Sequence, residues 1–262
     1  MSLRGVRKKS DLPLAQRTKS KLPLCIVPLH PFMRAEAAPA PHLTYRNGPL
    51  LTNVEVFTVF WGAAWQEATN SQLMQDLNTF FDYILASALI DQLSEYSVQG
   101  KPIGHGTWTG SKNLTDSEPG KTLQDSAIQE KLQAEISAGG LPAPTPNSLY
   151  FVYLPPGTKV AQAGAASCKD FCGYHDATSN NIYYAVMPFP NCTGCEGGLE
   201  TFPALTSTSS HELCESITDP IPGQGWYDDS HGEIGDICAW QTKTVGKYTV
   251  QQEWSNAANS CV

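Results

Sequence analysis

Cysteines are concentrated at one end of this 262-residue chain. Seven of its eight cysteines fall in the last 95 or so residues, and the other, Cys25, lies near the N-terminus. The segments CKDFC and NCTGC have spacings that suit either zinc-ribbon halves or disulfides. Unequal spacings and few nearby basic residues favour disulfides, which would staple the C-terminal half of the fold. The seven cysteines are Cys168, Cys172, Cys192, Cys195, Cys214, Cys238 and Cys261.

Hydrophobic patterns divide the rest of the chain into alternating strands and helices. Apolar residues at intervals of three and four predict a long amphipathic helix over 71–93 and a weaker one over 122–139. β-branched and aromatic runs predict strands over 54–62, 148–156 and 181–190 and a closing strand over KYTVQQEW. A short helix is expected in GEIGDICAW. The order indicates one α/β (α+β) domain with a mixed sheet over 41–262. Residues 1–40 are expected to be a disordered leader or an export signal.

Charge is distributed unevenly along the chain. Residues 1–40 carry eight basic and two acidic residues, whereas the remainder carries nine basic and 23 acidic residues, a net charge of −14. So acidic a body disfavours binding to nucleic acid or to an anionic membrane. No run of 18 or more apolar residues is present, so we expect no membrane span.

One long acidic stretch lacks any cationic partner. Between Asp170 and Thr242 there are eleven Asp and Glu residues and neither lysine nor arginine. A solvated surface normally mixes the two signs. The stretch therefore predicts that metal ions supply the missing positive charge. The alternative is a merely acidic surface.

The segment HELCE, residues 211–215, is the strongest candidate for chemistry. Pro203 suits the first turn of a helix, and Asp219, which precedes Pro220, ends it. His211 and Glu215 are one helical turn apart and can bind one ion. Glu212 is offset by about 100° and could act as general base on a metal-activated water. A glutamate in place of the second histidine of a zinc protease makes harder cations such as calcium or manganese more competitive.

A third ligand is expected after the helix. The segment DDSHGEIGDIC offers Asp228, Asp229, His231, Glu233 and Asp236. On a helical turn Glu233 and Asp236 would face the same way, so Glu233 could bind the ion while Asp236 holds His211, or the two could exchange roles. Asp219 is a further candidate, and His231 lies in a turn. The competing interpretation is an acidic helix that happens to begin with a histidine.

Other candidate residues carry less weight. His175 and His105 could line a cleft, but such histidines are more often structural hydrogen-bonding groups. Trp226 and Tyr227 suit either a substrate subsite or the core. Seven cysteines leave one thiol unpaired, and we predict Cys214, because a helix interior between metal-site residues is a poor place for a disulfide. Acidic neighbours also make it a poor nucleophile.

Several of these motifs occur together in a known family. FCGYHD, NCTGC, SSHELCESITDP, GWYDD, EIGDIC and QQEWSNAANSC resemble, in that order, the EXORDIUM / phosphate-induced protein 1 family and its bacterial relatives. The resemblance covers roughly residues 43 to 262. It implies a secreted single domain with a zincin-like fold, a shared polar set and a Cys238–Cys261 disulfide, with Cys214 unpaired. The polar set that it marks is His211, Glu212, Glu215, Glu233 and Asp236.

Two functional hypotheses follow. The first is a secreted, monomeric zinc metallopeptidase-like hydrolase acting on a peptide or a cell-wall-associated substrate. Its zinc would be held by His211, Glu215 and Glu233, with Glu212 as base and Asp236 in support. The second is a non-catalytic extracellular module that binds cell wall or a protein partner, with calcium or zinc as a structural metal.

Overall fold

The computed structural model describes residues 26–28, 40–192 and 194–262. The predicted leader, residues 1–40 with Cys25, therefore lies largely outside the described residues. The helices are α1 (Ala68–Ile84), α2 (Ala88–Asp91), α3 (Asp125–Ser137) and α4 (Thr201–Thr218), with 3-10 turns at Ala63–Gln66, Gln92–Tyr96 and Asp236–Cys238. The strands are β1 (Ile26–Pro28), β2 (Thr44–Tyr45), β3 (Glu55–Trp61), β4 (Thr107–Leu114), β5 (Thr122–Gln124), β6 (Ser148–Tyr153), β7 (Lys159–Gln162), β8 (Ala165–Ala166), β9 (Phe171–Ala177), β10 (Tyr183–Met187), β11 (Trp226–Tyr227), β12 (Thr242–Val245), β13 (Tyr248–Gln251), β14 (Trp254–Ser255) and β15 (Ser260–Cys261).

A six-stranded mixed sheet lies at the centre of the fold. Its strand order is β1-β9-β10-β6-β3-β4. Strands β10, β6, β3 and β4 run parallel to one another, while β9 is antiparallel to β10 and β1 is antiparallel to β9. The chain is thus an α/β protein with a mixed sheet, as its order of elements predicts.

Both faces of the sheet are buried. Along β6, Phe151 and Tyr153 pack in a core with α1, α2 and α4, whereas Tyr150 and Val152 pack in a second core with α3. Each large side chain buried in this way contributes about 1.5–3 kcal/mol. Burial on two faces explains why the central strands are apolar along their whole length.

The amphipathic segment 71–93 forms two helices and a 3-10 turn, not the single helix predicted. The break falls at Ser87, whose backbone is extended. Its side chain accepts a hydrogen bond from the N–H of Leu89 and donates one to the carbonyl of Ile84. Ser87 therefore caps α2 and ends the first run, because serine competes with helical hydrogen bonding through its own hydroxyl.

Helix α4 is buried on almost all sides, although most of its residues are polar. It begins at Thr201, has Pro203 in its first turn and ends before Asp219, as predicted. Hydrogen bonds satisfy several of its hydroxyl groups. Ser209 Oγ lies 2.7 Å from the Tyr153 hydroxyl, and Thr206 Oγ1 donates to the carbonyl of Thr249. These bonds let a polar helix lie between the sheet and β13.

Three disulfides tie the C-terminal half together. Cys168 pairs with Cys192 and Cys172 with Cys195, so the two short cysteine motifs are cross-linked to each other. Cys238 pairs with Cys261, and Cys214 is a free, buried thiol. The sulfur atoms of CKDFC and NCTGC are thus used in covalent bonds, which excludes the zinc-ribbon alternative in this state.

Two C-terminal segments differ from the prediction. The expected closing strand over KYTVQQEW is divided into β13 and β14. The expected short helix in GEIGDICAW is only a 3-10 turn at Asp236–Cys238. None of the helices formed by the described residues combines the length and the apolar character that a bilayer crossing requires.

Candidate metal centre

Helix α4 carries three ionisable side chains into the interior. His211, Glu212 and Glu215 each have no measurable exposure to solvent. Nε2 of His211 lies 3.0 Å from Oε1 of Glu215. Within the described residues, neither ring nitrogen of His211 has a hydrogen-bond partner. The two atoms are therefore close together, but their geometry is not that of a hydrogen bond. Two ligands around an ion with bonds of about 2.0–2.2 Å are about 3.3–3.6 Å apart in tetrahedral geometry and about 2.8–3.1 Å apart at right angles.

The segment after the helix folds back onto this pair. The N–H of Asp236 donates a hydrogen bond to Oε1 of Glu215 at 3.2 Å. A Cβ atom at Gly235 would lie 2.6 Å from Nδ1 of His211, so glycine alone allows this close approach. Ligand atoms of His211, Glu215 and Asp236 lie within 4.8 Å of one another. The side chains that the motif and the downstream segment contribute therefore meet.

Asp219 shapes the turn between these two segments. Its carboxylate accepts hydrogen bonds from the backbone N–H groups of Gly223, Gln224 and Gly225. Gly225 has no room for a side chain, because a Cβ there would lie 2.2 Å from the carbonyl of Thr218. Asp219 thus holds the loop after α4 and is not one of the converging ligands.

Strand β9 adds a histidine to which the sequence analysis gave little weight. Nδ1 of His175 lies 3.1 Å from Oε2 of Glu212 and 3.5 Å from Oε2 of Glu215. Its Nε2 lies 3.1 Å from the carbonyl oxygen of Asp219. His175, Glu212 and Glu215 form a second group whose ligand atoms lie within 4.8 Å of one another.

Glu233 lies in the same buried cluster but beside a different histidine from the one predicted. Its Oε1 is 3.5 Å from Nε2 of His175, whereas Asp236 takes the place next to His211 and Glu215. Asp236 thus lies where Glu233 was expected to bind, while Glu233 contacts His175 and not His211. Glu253, between β13 and β14, is a further buried carboxylate, which sequence reasoning missed.

The remaining candidate residues lie elsewhere. His231 contacts Asp228 at 3.0 Å in a turn, and the exposed Asp229 pairs with Arg46. His105 is exposed and pairs with Asp91 at 2.8 Å. Trp226 packs against Tyr45 and Tyr96, which makes it a core anchor, while Tyr227 lies under the guanidinium of Arg46.

Burial and the neighbouring charges shift the pKa values of the clustered carboxylates. Burial, together with the neighbouring Glu215 charge, raises the pKa values of Glu233 and Asp236 well above their usual range. Burial alone would raise the pKa of Glu215 too, but His211 and His175 outweigh it and lower that pKa to about 2. Burial likewise opposes a charge on His175, yet Glu212 and Glu215 raise its pKa to about 10.

Among the described residues, many polar atoms of the cluster have no hydrogen-bond partner. A buried, unsatisfied polar group costs about 1–3 kcal/mol, and more if it is charged. Within the described part of the chain, no lysine or arginine forms an ion pair with these carboxylates. A divalent cation would satisfy such atoms, so the residues fit a metal. The unpartnered atoms are both ring nitrogens of His211, Oε1 of Glu212, Oε2 of Glu215, both carboxylate oxygens of Glu233 and Glu253, and Oδ1 of Asp236.

Cys214 lies on the same helix and belongs to the hydrophobic core together with Leu213 and Ile217. It is fully buried, and burial raises the pKa of its thiol well above the usual value, with Glu253 adding to the effect. A thiol that stays protonated and inaccessible is inert. This agrees with the prediction that Cys214 is neither bridged nor a nucleophile.

Comparison with known proteins gives little further information. No protein-family model matches the chain, and no curated protein matches it. Among solved structures, one similar chain belongs to a structure described as a chaperone–substrate complex, with 16% identity and a TM-score of 0.34. The similarity covers 74% of this chain and 28% of that chain, so this chain spans less than a third of that protein's length.

Proposed function

We propose that this protein binds a divalent cation through His211, Glu215 and Asp236, and that the ion braces the C-terminal half of an extracellular module. The observation that carries the proposal is the burial of six carboxylates and two imidazoles with no lysine or arginine paired to them in the described part of the chain. Buried charges require a partner, because leaving them uncompensated costs several kcal/mol per ion. A metal ion supplies that partner.

The closed surroundings favour a bracing role over catalysis. None of the three proposed ligands is more than 5% exposed. Catalytic metal sites keep one coordination position open to water or substrate, whereas structural sites are closed. The ion would join α4 to the 3-10 turn Asp236–Cys238, which the Cys238–Cys261 disulfide ties to the C-terminus. Metal and disulfide would thus stabilise the same region.

The ligand set favours zinc over calcium. An imidazole nitrogen takes part beside two carboxylates, and imidazole suits zinc and other transition metals. Calcium is bound almost entirely by oxygen ligands. We therefore propose zinc, with calcium as the alternative that elemental analysis separates.

The test compares metal content between matched histidine variants. The full chain, prepared under oxidising conditions, is loaded with zinc, passed through a desalting column and analysed for metal. We expect bound zinc in the wild type, a loss in His211→Ala, and no loss in His105→Ala, whose histidine is exposed. If the wild type retains no zinc, manganese or calcium, the proposal is wrong.

A metal-dependent hydrolase, and specifically a peptidase, is the second candidate. It is favoured by Glu212, whose Oε1 is buried beside the proposed ligands without a hydrogen-bond partner. There Glu212 could accept a proton from an attacking water. Metal-loaded wild type should then cleave a peptide mixture, and Glu212→Gln should abolish cleavage while retaining the ion. Absence of cleavage by the metal-loaded wild type would rule this candidate out.

The proposed setting is extracellular. The three disulfides are compatible with an oxidising compartment, where such bonds form and persist. Kinship with the EXORDIUM / phosphate-induced protein 1 family, and with it a zincin-like fold, also remains a proposal. It is supported by the Cys238–Cys261 disulfide and by the free thiol of Cys214, both of which the resemblance implies.

A further inference from the structure

Glu215 presents its two carboxylate oxygens to different histidines. Oε1 lies 3.0 Å from Nε2 of His211, and Oε2 lies 3.5 Å from Nδ1 of His175. Oε1 also accepts the N–H of Asp236, while Oε2 has no hydrogen-bond partner although it is fully buried. One carboxylate therefore lies between two groups of possible ligands.

The orientation of His175 directs one of its ring nitrogens at two carboxylates. A carbonyl oxygen only accepts hydrogen bonds, so Nε2 of His175, 3.1 Å from the carbonyl of Asp219, carries the proton. Histidines that bind metals commonly fix their orientation by such a bond from the other ring nitrogen. In the neutral ring, Nδ1 then directs a lone pair towards Glu212 and Glu215.

Two acceptors at short distance require a positive charge between them. Nδ1 of His175 and Oε2 of Glu212 are 3.1 Å apart, with Oε2 of Glu215 at 3.5 Å from the same nitrogen. These distances match neighbouring ligands around an ion with bonds of about 2.0–2.2 Å. A proton on Nδ1 fills this position in the metal-free protein, and a divalent ion would replace it.

The total charge of the cluster is also better matched by two ions than by one. Apart from Asp219, whose oxygens accept backbone N–H groups, five carboxylates surround the histidines. Once metal binding has displaced the protons that these carboxylates hold, one divalent ion balances two of them, and two ions balance four. Charges buried without compensation are costly. The five are Glu212, Glu215, Glu233, Asp236 and Glu253.

We propose that the centre binds two divalent ions, with Glu215 as the bridging ligand and His175 and Glu212 as ligands of the second ion. This inference rests on the proposed first ion at His211, Glu215 and Asp236. Two-metal sites place their ions about 3.5–4 Å apart, a separation that a bridging carboxylate spans. In this arrangement Glu212 is a ligand and cannot also serve as a free base.

Metal stoichiometry and manganese spectroscopy test the second ion. The full chain is loaded with zinc, desalted and analysed, and a parallel sample is loaded with Mn²⁺ for electron paramagnetic resonance. We expect two ions per wild-type chain and a spectrum of exchange-coupled manganese. His175→Ala and Glu212→Gln should each retain one ion, with an uncoupled spectrum, and His105→Ala should retain two.

The outcomes distinguish the two proposals. One ion per wild-type chain with an uncoupled spectrum overturns the bridged pair but leaves the first site standing. No bound ion overturns both. Two ions that persist in Glu212→Gln and still couple would overturn the assignment of the second ion's ligands. If His175→Ala does not fold, the wild-type spectrum and the isosteric variant Glu212→Gln still distinguish these outcomes.

Discussion

The N–H of Asp236 donates a hydrogen bond to Oε1 of Glu215 at 3.2 Å. Through this bond the loop that follows the Asp219–Pro220 break fixes the carboxylate at the end of the HELCE motif. Oε1 is thereby aimed at His211 and Oε2 at His175. One backbone hydrogen bond therefore sets the orientation of the residue that all the proposed metal chemistry shares.

Substitution of Gly235 should disrupt the centre by crowding. In Gly235→Ala the new Cβ would lie 2.6 Å from Nδ1 of His211, so the ring or the loop must move. We expect a loss of about 1–3 kcal/mol in the free energy of unfolding, as for other overpacked sites, together with reduced zinc retention. Denaturant unfolding and metal analysis measure both quantities. Gly104→Ala is the control, because its Cβ would meet the side-chain amide of Asn53 at 3.3 Å and the carbonyl oxygen of Thr52 at an ordinary 4.0 Å.

The Cys238–Cys261 disulfide should stabilise both the fold and the metal site. Cys238→Ser combined with Cys261→Ser removes a link across 23 residues, which should lower the free energy of unfolding by about 3 kcal/mol. Metal affinity should fall as well, since Cys238 lies two residues after Asp236. Thermal unfolding and zinc titration measure the effects. Cys214→Ala, which removes a thiol but no covalent link, should leave zinc affinity nearly unchanged, and an equal loss there would contradict this account.

Stability of the metal-free protein should decrease as pH rises. Burial raises the pKa values of Glu233, Asp236 and Glu253, so the folded state holds protons that the unfolded state releases above about pH 4. The raised pKa of His175, about 10, acts in the same direction, because its contribution is full below about pH 6.5 and is lost as pH rises through 10. In chelator, the melting temperature at pH 8 should be below that at pH 5.5.

Cations should reverse this dependence. Binding displaces protons from the raised carboxylates and from His175, so affinity for zinc should increase with pH. Melting temperatures measured with and without zinc should therefore diverge towards alkaline pH. A constant difference between the two curves from pH 5.5 to pH 8 would show that no proton is exchanged for the ion.

The hydroxyl of Tyr153, which contacts helix α4, should stabilise the packing of that helix on the sheet. Tyr153→Phe leaves the buried hydroxyl of Ser209 without its partner at 2.7 Å. We expect a loss of about 1–3 kcal/mol in the free energy of unfolding. Tyr83→Phe is the matched control, because Tyr83 is 46% exposed and should change stability little. Equal effects in the two variants would argue against a role for the Tyr153–Ser209 contact.

Local rules predicted the motif helix well. Pro203 and the Asp219–Pro220 pair set the two ends of α4 through backbone geometry that acts within a few residues. The same periodicity argument placed His211 and Glu215 on one face. It failed for Glu233 and Asp236, because a spacing of three implies a shared face only in a helix. Glu233 precedes the short 3-10 turn and points to a different histidine.

Two members of the cluster, His175 and Glu253, lie in or next to strands that have only weak signals in the sequence. His175 lies in β9, whose sequence FCGYHDA mixes apolar residues with glycine, histidine and aspartate. Its approach to Glu212 depends on the pairing of β9 with β10 and on the packing of α4, both long-range features. Glu253 follows β13. Locally, the sequence shows it only as an isolated carboxylate next to Trp254, which does not indicate a ligand. Neither contact could be read from spacing along the chain.

The two interleaved disulfides, Cys168–Cys192 and Cys172–Cys195, should affect how the proposed metal centre forms. Both bonds join the start of β9, the strand of His175, to the segment that leads into α4, the helix of Glu212 and Glu215. In the reduced chain only non-covalent contacts hold these two elements together, so we expect their acids and imidazoles to converge less reliably. We therefore expect thiol oxidation to favour binding of the proposed cation, so that the centre forms most readily in an oxidising compartment.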